Sequence, residues 1–314
     1  MRRTTAAALV AALATGLGLV APAGAAAPTT ELQPQRLDRG PDVAVAHVED
    51  FDFVAGDLRV DLAGRVVRVI GESGDGWVVG TDRRRVIRIE PDGSTRTLLR
   101  KVDVTLTTLS EDGSRLVTLD HPARRRTAVQ TFSALDGSAG PERTFGGWPE
   151  VVTADERQVL VRHDGRLVRW RTGPDRVRLV TRRLSALASI EHDLLETYTK
   201  DPYVGGCVRM VRLSDLADTV WRSCSQRVVA LSPDGTRMLT VGILVDGLGP
   251  NEIDLRRTDG KRLATWTTNW FGGWQWESPD AVLLQVNGQR KSSTVRCVLD
   301  ACENASDPVK VQMP

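Results

Sequence analysis

The chain reads as an all-β protein, a single β-propeller of six four-stranded blades with a seventh left open. Two interleaved series of turn signals predict it. One series, Asp75-Gly76, Asp112-Gly113, Asp155, Asp193, Asp234-Gly235 and Asp280, recurs at gaps of 37, 43, 38, 41 and 46 residues. The other, Asp92-Gly93, Asp136-Gly137, Pro174, Leu216, Asp259-Gly260 and Asp300, recurs at gaps of 44, 38, 42, 43 and 41. Short β-rich runs lie between the marks, so one four-stranded antiparallel unit repeats along the chain. Such a unit cannot bury both faces alone and becomes stable by stacking in a ring.

Residues 1–27 read as a secretory signal peptide. Arg2 and Arg3 form its charged start, residues 6–20 its apolar stretch, and Ala23-Gly24-Ala25 or Ala25-Ala26-Ala27 its cleavage site. An N-terminal anchor is the competing reading, but the apolar run is shorter than the ~20 residues a spanning helix needs. The Arg pair hints only weakly at twin-arginine export, because Thr4-Thr5 follows it. No later stretch is long and apolar enough to span a membrane, so no transmembrane helix is expected in the mature chain. Residues 28–42 read as an exposed linker, polar and Pro-containing without periodicity. The propeller domain is assigned to 43–314.

The clearest blade runs from 227 to 268. Residues 228–231 form its inner strand a and residues 237–241 strand b, joined by Ser232-Pro233-Asp234-Gly235-Thr236. A Gly-rich loop leads to strand c at 253–257, and Asp259-Gly260 turns into strand d at 262–266. Asp-Gly suits these turns because glycine accepts positive φ and aspartate bonds neighbouring amides. The same grammar fits 66–100, 104–145, 150–182, 186–225 and 274–306. Two further short strands, near 43–53 and 58–62, either close the ring by joining the last blade or are the remnant of a seventh.

The turn Leu231-Ser232-Pro233-Asp234-Gly235-Thr236-Arg237-Met238-Leu239 resembles the S-P-D-G turn of TolB-like and WD40-type propellers, and Leu109-Ser110-Glu111-Asp112-Gly113-Ser114-Arg115-Leu116 nearly does. The chain departs from true WD repeats in lacking the Gly-His and Trp-Asp marks. The resemblance implies a secreted bacterial propeller repeat protein.

Four cysteines in an exported chain predict two disulfides. Folding 207–224 as a hairpin about its centre sets Val211 opposite Val220, Met210 opposite Trp221 and Cys207 opposite Cys224. Cys297 and Cys302 likewise flank the turn at 298–301. Opposed strand residues sit at the short separations a disulfide needs. A metal site is a poor alternative, since there is no CxxC and no paired histidine.

The 42 basic side chains fall to 40 once Arg2 and Arg3 are removed, equal to the 40 acidic ones. A neutral mature chain argues against nucleic acid as partner. No G-x-S-x-G elbow and no G-x-G-x-x-G phosphate loop is present. Glu191-His192-Asp193 is the best acid–base cluster, but it falls at an a–b turn, where a turn-capping role competes with that of a general base. His47, His121 and His163 stand singly. No catalytic residue, cofactor or metal is therefore expected.

Phe145-Gly146-Gly147-Trp148 and Phe271-Gly272-Gly273-Trp274 repeat one tetrapeptide 126 residues apart, and both read as d–a connections. Their aromatics either pack between blades or stack on a ligand at the channel mouth. Arg83-Arg84-Arg85 and Arg124-Arg125-Arg126 fall in b–c loops of adjacent blades. In a propeller, b–c and d–a connections emerge on one face, so this face also collects Arg100-Lys101, Arg182-Arg183 and Arg290-Lys291. The candidate binding face is Arg83, Arg84, Arg85, Arg124, Arg125, Arg126, Trp148, Trp270 and Trp274, against ordinary solvated charge as the alternative. The function expected is a secreted, non-catalytic protein-interaction or ligand-binding module, its partner a protein or envelope component, with the arginines favouring an acidic one. A small propeller-type lyase or lactonase acting at the channel mouth is the alternative.

Overall fold

The repeated turns close on their own side chains. The Ser232 hydroxyl donates to Asp234 Oδ1 at 2.6 Å, the Thr236 amide donates to the same oxygen at 3.1 Å, and the Arg237 amide donates to Ser232 Oγ at 2.9 Å. Gly235 completes the turn at φ +67°, where a side chain is strained. Ser110, Asp112, Ser114 and Arg115 reproduce the pattern with distances of 2.5 to 3.1 Å. These bonds favour the carboxylate form. The Ser232 hydroxyl in this way holds Asp234 below the usual aspartate range, and the Ser138 amide draws Asp136 down to about 2.

The computed structural model describes residues 27–62, 64–123 and 125–311. The leader expected over 1–27 therefore lies outside the described residues but for Ala27. Seven sheets follow one another along the chain and make seven blades of a β-propeller. Blade 1 is His47–Glu49, Asp52–Ala55 and Leu58–Val60, a sheet of three strands. Blades 2 to 5 occupy 66–100, 108–146, 150–181 and 188–223, and blades 6 and 7 occupy 226–267 and 270–304. The two short strands at the start are thus three, and they form the seventh blade rather than joining the last one. Blade 7 begins at Trp270, four residues earlier than the turn signals suggest.

Packing between blades is apolar at six of the seven joints. Each of six buried clusters draws on two neighbours, from blades 1 and 2 (Phe53, Val66, Val79 and Ile89 among them) round to blades 6 and 7 (Trp266, Phe271, Leu284). Among the described residues no such cluster joins blade 7 to blade 1. There blade 7 instead holds residues 41–44, which lead into blade 1, through polar contacts. The Arg296 guanidinium donates to the Glu277 and Glu303 carboxylates and to the carbonyls of Pro41 and Asp42, while the Ala44 amide donates to Glu277. A groove of about 930 Å³ lies beside this seam.

Residues 28–42 are not an exposed linker. Thr29–Glu31 adds in parallel to the outer strand Arg262–Thr267 of blade 6, with Thr30 opposite Trp266. Leu32 is fully buried in the core of blades 6 and 7. Asn304 of blade 7 then grips the segment. Its Nδ2 donates to Pro34 O at 2.9 Å and Leu37 O at 2.8 Å, and its Oδ1 accepts from Ser293 Oγ at 2.6 Å. The segment is a strap over the two last blades. Its polar composition misleads because strand addition at an edge needs backbone groups and only one apolar anchor.

Both disulfides join the cysteines expected, Cys207 to Cys224 and Cys297 to Cys302, each across a c–d hairpin. Met210 faces Trp221 as read, but a bulge after Met210 sets Val211 opposite Thr219 instead of Val220. The separations of 17 and 5 residues order their worth. Replacing Cys207 and Cys224 together by Ala should lower unfolding free energy by about 3 kcal/mol, and the Cys297/Cys302 pair by about 2. Denaturant melts of the two double variants check this; a larger loss at Cys297/Cys302 would contradict the loop-length account.

Candidate functional site

The b–c turns of blades 2 and 3 do fall at the same end of the ring. Arg83 and Arg84 occupy the turn after Gly76–Thr81, and Arg85 opens the next strand, Arg85–Ile89. Arg84 takes φ +58° and its Nη2 donates to Lys101 O at 3.0 Å, which ties the b–c turn to the following d–a connection. Arg85 stands directly opposite Arg100. In blade 3, Arg125 takes φ +63° in the turn and Arg126 opens the strand Arg126–Ser133. Arg124 lies outside the described residues. Arg83, Arg84, Arg125 and Arg126 are exposed, as are Arg182 and Arg183 in the d–a connection of blade 4.

The two FGGW tetrapeptides diverge at their tryptophans. Phe145 and Phe271 are both buried, Phe145 edge-on to Trp170 at 6.4 Å. Trp148 lies in a d–a connection, 71 % exposed, with its ring 4.7 Å from that of His121. Trp274 sits instead within the inner strand Trp270–Trp276, half-buried against the core of blades 6 and 7, and Trp270 is half-buried at the start of that strand. The second tetrapeptide is therefore not a connection, because a bulge between Phe271 and Gly273 absorbs it into the sheet. Of the tryptophans singled out from sequence, Trp148 is the exposed one.

Sequence reading passed over the apolar side chains of the same end. Leu106 and Leu184 are exposed in d–a connections, as are Tyr203, Val204, Leu244 and Leu248 in the long b–c loops of blades 5 and 6. Tyr203 is 71 % exposed, like Trp148. The signal was present in the sequence as large apolar residues inside loops otherwise built of Gly, Pro and Asp. This end thus carries exposed aromatic and aliphatic side chains as well as exposed arginines.

At the opposite end the a–b turns are laced to one another. Glu111 stands where the S-P-D-G turn has proline, and its amide donates to Ala154 O at 2.9 Å, which proline could not do. Its carboxylate accepts from Thr153 Oγ1 of blade 4 and, at 2.9 Å each, from Ser189 Oγ and the amides of Ile190 and Glu191 in blade 5. The Glu191-His192-Asp193 cluster is engaged in the same way. His192 Nε2 lies 3.0 Å from Pro233 O, and Asp193 accepts from the Ser214 amide at 2.7 Å and hydroxyl at 2.5 Å. His47, His121 and His163 sit apart, against Val45 O, Thr127 Oγ1 and the Phe145 ring respectively. Among the described residues no group of three or more His, Cys, Asp and Glu is placed to hold a metal ion. A groove of about 1250 Å³ lies at this end between blades 3 and 4 and mixes Arg115, Arg157 and Arg171 with Asp112, Asp155 and Glu156.

No protein-family profile matches the chain, and no curated protein matches it in sequence. Solved structures do. The chain is similar to the uncharacterized protein lmo1340 of Listeria monocytogenes EGD-e, at 13% identity over 81% of this chain and 86% of that one, with a TM-score of 0.56. It is also similar to the acylaminoacyl peptidase of Pyrococcus horikoshii, at 8% identity over 82% of this chain and 47% of that one, TM-score 0.62. A prolyl endopeptidase gives 13% identity, 79% and 43% coverage, and a TM-score of 0.53. The likeness is one of fold. The chain spans a little under half the length of both peptidases. Among the described residues no helix is long and apolar enough to cross a membrane.

Proposed function

We propose that this is an exported, non-catalytic propeller of the TolB-like kind, whose b–c/d–a end docks an acidic protein or envelope component. The observation that supports it is the coincidence, at one end, of exposed Trp148, Tyr203, Val204, Leu244 and Leu248 with exposed Arg83, Arg84, Arg125, Arg126, Arg182 and Arg183. Contiguous exposed apolar surface marks interaction sites, and Trp, Tyr and Arg are the side chains that carry most binding energy at interfaces. The arginines add a field that steers an acidic partner and fixes its orientation. Two disulfides suit the oxidising compartment that export implies.

A capture experiment tests the reading. The mature protein is immobilised against its own envelope fraction, beside a variant carrying Arg83→Ser, Arg125→Ser, Arg126→Ser and Trp148→Ala and a control carrying Arg157→Ser at the opposite end. Arg84 is retained because it holds the Lys101 carbonyl. The parent and the control should retain the same species, the variant should lose it, and about 1 M salt, with its Debye length of about 3 Å, should release it. Equal capture by variant and parent, with no effect of salt, would leave this end as solvated surface.

A further inference from the structure

The outer hairpin of blade 4 carries a charge that nothing around it neutralises. Its strands are Arg166–Arg171 and Arg176–Thr181, and the register sets Arg169 opposite Arg178 and Arg171 opposite Arg176. Strand geometry makes this a two-by-two array of arginines, with stems about 5 Å apart across the strands and about 7 Å along them. Like charges directly opposite destabilise a strand pair. Arg85/Arg100 and Arg209/Arg222 are single opposed pairs that hold no carboxylate among the described residues, whereas other opposed arginines are compensated: Arg88, facing Arg96, holds Glu90 at 2.7 Å and Asp75 at 3.3 Å, and Arg256, facing Arg262, holds Asp254 at 2.8 Å.

In the blade 4 array, by contrast, no carboxylate comes within ion-pair distance of any of the four, among the described residues. The acids close by are engaged elsewhere. Asp175 accepts from Arg143 Nη1 at 2.6 Å and from Trp170 Nε1 at 2.9 Å, and Glu156 holds Arg157 at 3.0 Å. Arg169 Nε is itself buried without a hydrogen-bond partner. The array borders a groove of about 270 Å³ that Leu213, Ser214 and Leu216 of blade 5 complete, with half-exposed Leu179 on its edge.

We propose that this hairpin binds a multivalent phosphoryl anion, two or more phosphate groups held about 5–7 Å apart, either along one soluble chain or side by side as lipid headgroups. Guanidinium forks match phosphate oxygens two at a time, and an anion of several charges offsets the mutual repulsion of the four cations. A single phosphate bridges one opposed pair and leaves the other uncompensated. The site lies on the rim of the ring, apart from the end described under the proposed function, and does not depend on that reading.

Calorimetric titration of the mature protein with tripolyphosphate and with orthophosphate tests it, beside an R171Q/R178Q variant. Tripolyphosphate should bind the parent at least about tenfold more tightly than orthophosphate does, and the variant should lose at least about tenfold, the factor that one charge-assisted hydrogen bond carries. The ligand-free variant should melt no lower than the parent, since like-charge repulsion is relieved. Sedimentation with vesicles of phosphatidylcholine, with and without phosphatidylglycerol, separates the two sources of such groups. Capture by the anionic vesicles that the variant loses assigns lipid headgroups; tripolyphosphate binding without vesicle capture assigns a soluble chain. The proposal is overturned if neither probe binds, if orthophosphate binds as tightly as tripolyphosphate, or if the variant binds as the parent does.

Discussion

Arg296→Ala should lower the unfolding free energy by about 3–5 kcal/mol, the usual cost of leaving one member of a buried ion pair alone. Arg296 and Glu277 are 14% and 11% exposed at their side chains, and Arg296 Nη2 donates to Glu277 Oε1 at 2.7 Å. The same guanidinium donates to Pro41 O at 3.0 Å and Asp42 O at 2.9 Å, so it fastens the end of the strap, just before blade 1, to blade 7 at the joint that has no apolar cluster among the described residues. Its loss should therefore act locally before it acts globally. Hydrogen exchange should rise first in blade 1 and in residues 38–44, while blades 3 to 5 keep their protection. A uniform rise across all seven blades would show that the seam is not the weak joint.

The pair also sets an acid limb. Its hydrogen bond to Arg296 holds Glu277 below the usual glutamate range. A depressed folded pKa gives stability that is present above the ordinary value and is lost as pH falls through the folded one. The parent should lose stability on acidification below about pH 4.3, the ordinary glutamate value. Arg296→Ala should lack that part of the acid dependence.

Glu196→Gln should have the opposite sign, stabilising the protein by about 3 kcal/mol at pH 8 and by almost nothing at pH 4.5. Glu196 is fully buried between blades 5 and 6, and burial pushes its carboxyl up to about 7 against the weaker pull of Arg227 and Arg162. Its Oε1 accepts from the Val228 amide and the Tyr198 hydroxyl at 3.1 Å each, while Oε2 is buried without a partner. A raised folded pKa gives stability that is full below the ordinary glutamate value and is lost as pH rises through about 7. Glutamine keeps the Oε1 acceptor and never ionises, so the variant escapes that loss. Melting temperatures of parent and variant across pH 4.5 to 8.5 check this, and a gap that stays constant with pH would refute it.

What the sequence disclosed follows from where the physics is local. The S-P-D-G turns are legible because Ser232, Asp234 and Gly235 satisfy one another within six residues. The cysteine pairs are legible for the same reason, each spanning a single hairpin. The strap was not, since Thr29 pairs with Thr265 through backbone groups that carry no side-chain signature. Blade 1 was half-seen because it has three strands where the repeat supplies four. Charge marks the candidate face in the sequence, but only packing separates the exposed ring of Trp148 from that of Trp274, which is held against a core. The arginines of blade 4 alternate visibly at 169, 171, 176 and 178, but the lack of an acidic neighbour belongs to three-dimensional space.

The strap imposes an order on assembly. Thr29, Thr30 and Leu32 are made early, yet their partners lie in blades 6 and 7 at the far end of the chain. During synthesis they must wait, unpaired, for more than two hundred residues to emerge. Contacts of such long range slow the search for the native state. The ring is thus closed last, by its oldest residues. The vacant outer edge of blade 6 is meanwhile a template for any strand of the same sequence, so crowded refolding should yield dimers that have exchanged their first strands.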